Sequence, residues 1–180
     1  MPTVLIILPE GFEEVEAITP IDVLRRAGAE VTVAALGETT AVKGKHGIVV
    51  TADRLLSAVP AGHTFDLLIL PGGPGVRKFR ADLRITAIVR AQATSGKWLA
   101  AICAAPTVLN DAGLLKDKRY TAHPSTADEL KNILADQRVV IDGNLITSRG
   151  AGTSLDFGLT LVEKLFSPAK SAEIAKAICA

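Results

Sequence analysis

Residues 98–106 read Trp98-Leu99-Ala100-Ala101-Ile102-Cys103-Ala104-Ala105-Pro106. The run from Trp98 to Ile102 is apolar throughout and predicts a strand buried on both faces. It stops at a cysteine. Small residues and a proline follow, and a short helical pattern passes through Val108 and Leu109 to a stop at Gly113. A strand that turns at once into a helix places the turning residue on a sharp corner. Its side chain then stands clear at the carboxyl end of the sheet, beside free N–H groups that lower a thiol's pKa. Cys103 is therefore a candidate nucleophile. The alternative is a buried structural thiol, since free cysteine packs well in cores.

The same alternation of strand and helix extends outward from this corner. Val4–Leu8 is an apolar strand, turned by Pro9-Glu10-Gly11. A helix over about 13–26 follows, with Val15, Ile18, Ile21 and Leu24 on one face. Pro20 either kinks it or restarts it with Thr19 as cap. Val31–Ala35 is the next strand, completing one parallel crossover unit. Val42 and Ile48–Thr51 predict a small hairpin arm, and 55–62 is irregular. Phe65–Leu70 is a strand ending in Pro71-Gly72-Gly73-Pro74-Gly75. A short turn over 76–80 and a helix over 83–93 lead into the Trp98 strand. Beyond Gly113, 119–122 reads as a possible strand and 126–134 as a short helix. Val139–Ile141 and Leu145–Thr147, joined by Asp142-Gly143-Asn144, form a hairpin. Helices over 155–166, capped by Thr153 with Asp156, and over 168–178 close the chain. The expected architecture is one α/β domain over 1–180, a largely parallel sheet between helices.

Bulk composition narrows the function. Apolar residues make up 48% of the 180 and aromatics only 4%, so the core is built from Ala, Val, Leu and Ile. A formal net charge of +1 gives no electrostatic case for nucleic acid or a membrane surface. Two cysteines, Cys103 and Cys179, make no disulfide framework. The opening apolar run, ended by Pro9, is too short for a signal segment or a membrane span. The chain reads as cytoplasmic.

Ligands of open parallel sheets bind at the strands' carboxyl ends. That rule selects 9–16, 71–75 and 103–105, with His123-Pro124 after another possible strand. Glu13 and Glu16 share a helix face, while Glu14 points elsewhere. Any of the three could be a solvated carboxylate favourably placed on the helix dipole. An ionised glutamate beside Cys103 would raise the thiol pKa, so a stabilising partner must be a protonated one, kept neutral by burial. Gly72-Gly73-Pro74-Gly75 lacks the Lys-Ser/Thr of a phosphate loop. It is either an ordinary tight turn or, with the Ala104 N–H, a cradle for a developing oxyanion. Gly150-Ala151-Gly152 has Leu155 where a dinucleotide fingerprint needs its third glycine. His46 and His63 lie in glycine-rich loops and read as solvated. His123 is either structural or catalytic. No Cys or His pair has metal-ligand spacing, so neither metal nor cofactor is expected.

Five motifs in order carry a family likeness over 4–166. They are Glu13-Glu14-Val15-Glu16, Leu70-Pro71-Gly72-Gly73, Ala100-Ala101-Ile102-Cys103-Ala104, His123-Pro124 and Thr147-Ser148-Arg149-Gly150. The chain resembles the ThiJ/PfpI superfamily, in the branch of the Parkinsonism-associated protein deglycase and its bacterial homologues. The resemblance implies a flavodoxin-like sandwich and a homodimer with its site near the interface. It implies Cys103 as the reactive cysteine and Glu16 as its protonated partner. Gly73 and Ala104 would supply backbone N–H groups, and His123 would serve as a nearby acid or base. Activities implied are cofactor-free conversion of methylglyoxal or glyoxal to hydroxy acids, removal of early glycation adducts, redox sensing and chaperone-like protection. Four departures stand out. Ala104 occupies the place of the histidine that follows the cysteine in the protease branch. No His-x-Glu tripeptide of the amidotransferase relatives occurs. His46 aligns with an arm arginine, and Ala151 with a proline. The first two disfavour a peptidase or amidase, and the third bears on the arm's contact across the dimer. They leave a glyoxalase or deglycase acting on small dicarbonyls or glycated groups and, as the alternative, an oxidisable stress-protection protein.

Overall fold

The computed structural model describes residues 1–180. In chain order β1 (Thr3–Leu8), α1 (Glu14–Ala27) and β2 (Glu30–Ala35) form the first crossover unit. The arm, β3 (Ala41–Lys43) and β4 (Val49–Thr51), is a separate antiparallel pair. Next come β5 (Arg54–Leu55), β6 (Leu67–Leu70), α2 (Val76–Ala81), α3 (Leu83–Thr94), β7 (Trp98–Ile102) and α4 (Pro106–Asp111). β8 (Val139–Asp142), β9 (Leu145–Ser148), α5 (Ser154–Leu165) and α6 (Pro168–Ala177) complete the chain. The seven-stranded sheet has the order β5-β2-β1-β6-β7-β9-β8, parallel except at β8. Its inner run β2-β1-β6-β7-β9 follows the flavodoxin-like order, with the switch point between β1 and β6.

Strand periodicity divides the core into two layers. Val4, Ile6 and Leu8 of β1 pack with Ala17 and Leu24 of α1 and with Phe157 and Leu161 of α5. Leu5 and Ile7 face the other way, among Phe79 of α2, Ile85 and Val89 of α3, and Leu109 of α4. Burial on both faces is why β1, β6 and β7 read as unbroken apolar runs. No helix is long and apolar enough to cross a membrane.

The structure departs from the sequence reading where side chains replace backbone partners. α1 runs through Pro20 without a restart at Thr19. Pro20 and Val23 face Gly158, whose missing side chain lets α5 come close: a methyl there would lie 2.7 Å from Val23 Cγ2. Tertiary packing thus holds the turn that Pro20 weakens. The stretch 119–122 gives only one bridge, Tyr120 to Ile133. The Arg119 N–H donates to Asp142 and the Thr121 N–H to the Thr147 hydroxyl, so neither joins a ladder. The helix expected over 126–134 is absent. A 3₁₀ turn spans Pro124–Thr126, and the Leu134 N–H is drawn to the Tyr120 carbonyl at 2.9 Å. Thr153 does not cap α5 with its side chain. Its hydroxyl donates to the Gly150 carbonyl (2.8 Å), and Asp156 pairs with Arg138 instead. Arg54–Leu55, within or beside the stretch read as irregular, adds an edge strand to β2.

Candidate active site

The three loops singled out by the strand-end rule meet. The Glu13 N–H donates to the Gly72 carbonyl (3.0 Å) and the Gly75 N–H to the Gly11 carbonyl (2.9 Å). Cys103 terminates β7 with φ 65°, in the left-handed region that non-glycine residues seldom occupy. Its backbone is held from both sides: its N–H donates to the Ser148 carbonyl (2.9 Å), and its carbonyl accepts from the His123 N–H (2.8 Å). Neighbouring strand and loop therefore impose the strained corner, as expected where such conformations persist.

Glycines make room around it. A methyl at Gly72 would fall 2.5 Å from Glu16 Oε2 and 2.6 Å from Cys103 Cβ. Gly73, at φ 91°, abuts the Glu13 nitrogen and the Gly11 carbonyl. The double glycine is thus a requirement of close approach rather than an ordinary turn. The Gly73 and Ala104 N–H groups are directed at the Cys103 thiol.

Glu16 is 1% exposed on α1, and its Oε2 accepts the Gly72 N–H at 2.9 Å. With Oε2 occupied, the carboxyl proton belongs on Oε1, which with Cys103 Sγ borders Gly150. Burial pushes the Glu16 carboxyl up to about 7; its contact with Cys103 lowers it, and the charge of Glu13 raises it again. The thiol does not follow the sequence expectation of a depressed pKa. Burial first, then the Glu16 charge, push it up to about 12, against the opposing pull of the Gly73 and Ala104 N–H groups. α4 has only six residues, so no long helix dipole offsets that burial. The two groups share one site and cannot both ionise easily. The pair carries a single negative charge above about pH 7, and the titration belongs to the pair.

Glu13 and Glu14 are not solvated either, at 9% and 5% exposure. Glu14 anchors the arm: its Oε1 accepts the His46 N–H at 2.7 Å, and its Oε2 lies 3.1 Å from His46 Nδ1. Glu13 lies 3.4 Å from both Lys45 Nζ and His46 Nδ1. Ligand atoms of Glu13, Glu14 and His46 lie within 4.8 Å of one another. A search by Cys and His spacing misses this cluster because it spans two elements far apart in the chain. His63 stands away from the site, edge-on to Phe65.

His123 and Cys103 line one cavity of about 450 Å³. His123 Nδ1 accepts the Ser125 N–H (3.2 Å) and meets the Ser125 hydroxyl (2.8 Å). A lone pair on Nδ1 puts the proton of the neutral ring on Nε2. Neutral His123 is thus a donor at its free nitrogen rather than a base. Arg77, also on this cavity, carries no motif and was not marked by the sequence.

Comparison with known proteins identifies the family. The DJ-1/PfpI family model matches residues 2–164. Drosophila melanogaster protein dj-1beta is 43% identical over 178 residues, 97% of this chain and 95% of that protein. Caenorhabditis elegans glutathione-independent glyoxalase DJR-1.2 is 37% identical, covering 97% and 94%. Arabidopsis thaliana protein DJ-1 homolog A is 41% identical over 98% of this chain, which spans only 45% of that longer protein. The structure of oxidised Toxoplasma gondii DJ-1 superposes with a TM-score of 0.94 at 36% identity, covering 99% and 98% of the two chains. That of Drosophila DJ-1beta gives 0.94 at 42%, covering 99% and 97%. The chain belongs to the DJ-1/PfpI family.

Proposed function

We propose that this protein is a cofactor-independent enzyme of the glyoxalase or deglycase type, acting on methylglyoxal, glyoxal or early glycation adducts. The observation that carries the reading is the buried Glu16 carboxyl, with a pKa near neutrality, set against Cys103. The name of the nematode relative points to the same chemistry. The raised thiol pKa fits a base-assisted attack. As Cys103 Sγ adds to the aldehyde carbon of methylglyoxal, its proton passes to Glu16. Glu16 returns that proton to the new alkoxide, which the Gly73 and Ala104 N–H groups steady. The hemithioacetal forms. The Glu16 carboxylate then removes the C–H proton of the former aldehyde carbon, leaving an enediolate, and returns it to the neighbouring carbon as the hydroxyl proton on the former aldehyde carbon passes to the neighbouring oxygen. That leaves a thioester of lactate. Water cleaves it, restoring the thiol. The aldehyde carbon is oxidised as the ketone carbon is reduced, so no outside oxidant is required. His123 Nε2–H is placed in this scheme as a hydrogen-bond donor to substrate oxygen. Lactate formed by fully reduced protein without glutathione tests it; no turnover under those conditions overturns it.

A second reading is a redox-responsive protective protein. It is favoured by the partial exposure of Cys103 and by the oxidised state named for the Toxoplasma relative. Peroxide would convert the thiolate to sulfenic and then sulfinic acid, with water released at each step. Mass spectrometry after mild peroxide should place the added oxygen on Cys103. Oxygen on Cys179 first would end this reading. A peptidase is disfavoured, because Ala104 offers no imidazole and His123 Nδ1 is engaged by Ser125.

We also propose a cytoplasmic homodimer. Two unbridged cysteines suit a reducing compartment. Val15 (49% exposed) and Ile18 on α1, with Ile48 and Val49 (both 58%) on the arm, leave apolar surface at the site's edge. Light scattering should give twice the chain mass, and Val49→Glu should shift it toward monomer. A monomer in the unaltered protein would refute the assembly.

A further inference from the structure

The cavity over Cys103 is rimmed by charge, and almost all of it is paired. Lys45 sits against Glu13. Arg80 holds Asp111 through two hydrogen bonds (2.6 and 3.0 Å) and Glu129 at 2.8 Å. Ser125 is committed to His123. Arg77 differs. It lines the same cavity, lies one turn before Arg80 on α2, and its guanidinium has no hydrogen-bond or ion-pair partner. α2 turns Val76 and Phe79 into the core, which fixes Arg77 and Arg80 on its cavity side. The rim carboxylates, Glu13 and Glu129, each already lie against a cation, Glu129 sharing Arg80 with Asp111. Arg77 is thus the cation lining this cavity that no carboxylate holds, with five donors and no acceptor.

We propose that Arg77 is a specificity-determining residue that binds an anionic group on the substrate, so that the Cys103 cavity favours aldehydes and adducts carrying a carboxylate or phosphate away from the reacting carbon. This deepens the dicarbonyl reading and rests on it. Methylglyoxal and glyoxal are neutral and leave Arg77 unused. A planar guanidinium matches carboxylate and phosphate oxygens in pairs. Its field also raises the local concentration of anions at the cavity mouth.

The test does not require turnover. In a Cys179→Ser background, Cys103 is alkylated by iodoacetate or iodoacetamide, near-isosteres that differ by one negative charge. In each, the S–C bond forms as iodide leaves with its electron pair. The ratio of the two rates in folded protein, divided by that in urea-unfolded protein, isolates the cavity's charge preference. It should be on the order of three- to ten-fold higher with Arg77 in place than in Arg77→Ala at low salt. That gain should be lost equally in Arg77→Gln, persist in Arg77→Lys and collapse at high salt. Lys164→Ala, beside Trp98 at the other end of the strands, should leave it intact. An unchanged ratio in both neutral Arg77 variants, or an equal fall in Lys164→Ala, overturns the proposal. Acetate and inorganic phosphate, added as protecting ions, identify the anion: the stronger Arg77-dependent protector names the class. Conversion of 4,5-dioxopentanoate, an α-oxoaldehyde with a distal carboxylate, should drop by the same factor in Arg77→Ala. If methylglyoxal is not converted at all, the catalytic reading fails while the alkylation ratio still decides the role of Arg77.

Discussion

Cys103→Ala should lower lactate formation from methylglyoxal by at least about 10³-fold, because no other group in the cavity can form the thioester. Cys103→Ser should fail nearly as badly. A hydroxyl is far harder to deprotonate, and Glu16 at about 7 is too weak a base for it. Stability should change by no more than about 1 kcal/mol in either variant, since the side chain is only partly buried. The measurement pairs a lactate assay with urea unfolding. Activity surviving in well-folded Cys103→Ala would transfer the chemistry to another residue.

Glu16→Gln should lower kcat/KM by about 10²–10⁴-fold, the usual contribution of a positioned proton-transfer group. It should also change the pH profile. In the unaltered protein, the rate should rise as the pair loses its first proton near pH 7 and level off above it. Glu16→Gln should lack that limb, both in turnover and in Cys103 alkylation. Stability should move in the opposite direction. A carboxyl at about 7 in the fold, against an ordinary 4.5, binds more protons folded than unfolded. Stability is then fully present below about pH 4.5 and falls as pH rises to 7, by about 3 kcal/mol in total. Glu16→Gln keeps an acceptor for the Gly72 N–H and carries no charge. It should therefore be flat across that window and more stable than the unaltered protein at pH 8. Urea midpoints at pH 5 and pH 8 check the sign. A carboxyl retained at this cost is consistent with a functional role rather than a structural one.

The pairing of Cys103 with Glu16 was legible in part. The Trp98–Ile102 run and the small residues after it foretell the corner, and the sign of the electrostatic interaction foretells that any glutamate beside it must have a raised pKa. What could not be read was how strongly burial would act on the thiol. That depends on the packing of β7 against α1 and β9, which brings Ser148 and Glu16 to Cys103 from opposite ends of the chain. Arg77 carries no signal in the sequence for a related reason. A lone arginine on a short helix has no signature until its neighbours prove to be paired with other groups.

Apolar runs determine by themselves that β1, β6 and β7 are buried on both faces, and the glycine, cysteine and histidine positions mark which strand ends matter. That follows from local rules of alternation, turn chemistry and propensity, which need no distant partner. The stretch 119–134 resisted such reading because its backbone groups are satisfied by Asp142, Thr147 and one another, contacts that no local pattern encodes. Tertiary structure alone decided the microscopic state of the site: how far burial shifts Glu16 and Cys103, which nitrogen of His123 is free, and which cation is left without a partner. Ionisation and hydrogen bonding respond to everything within a few ångströms in space, and in this fold those neighbours come from six separate segments of the chain.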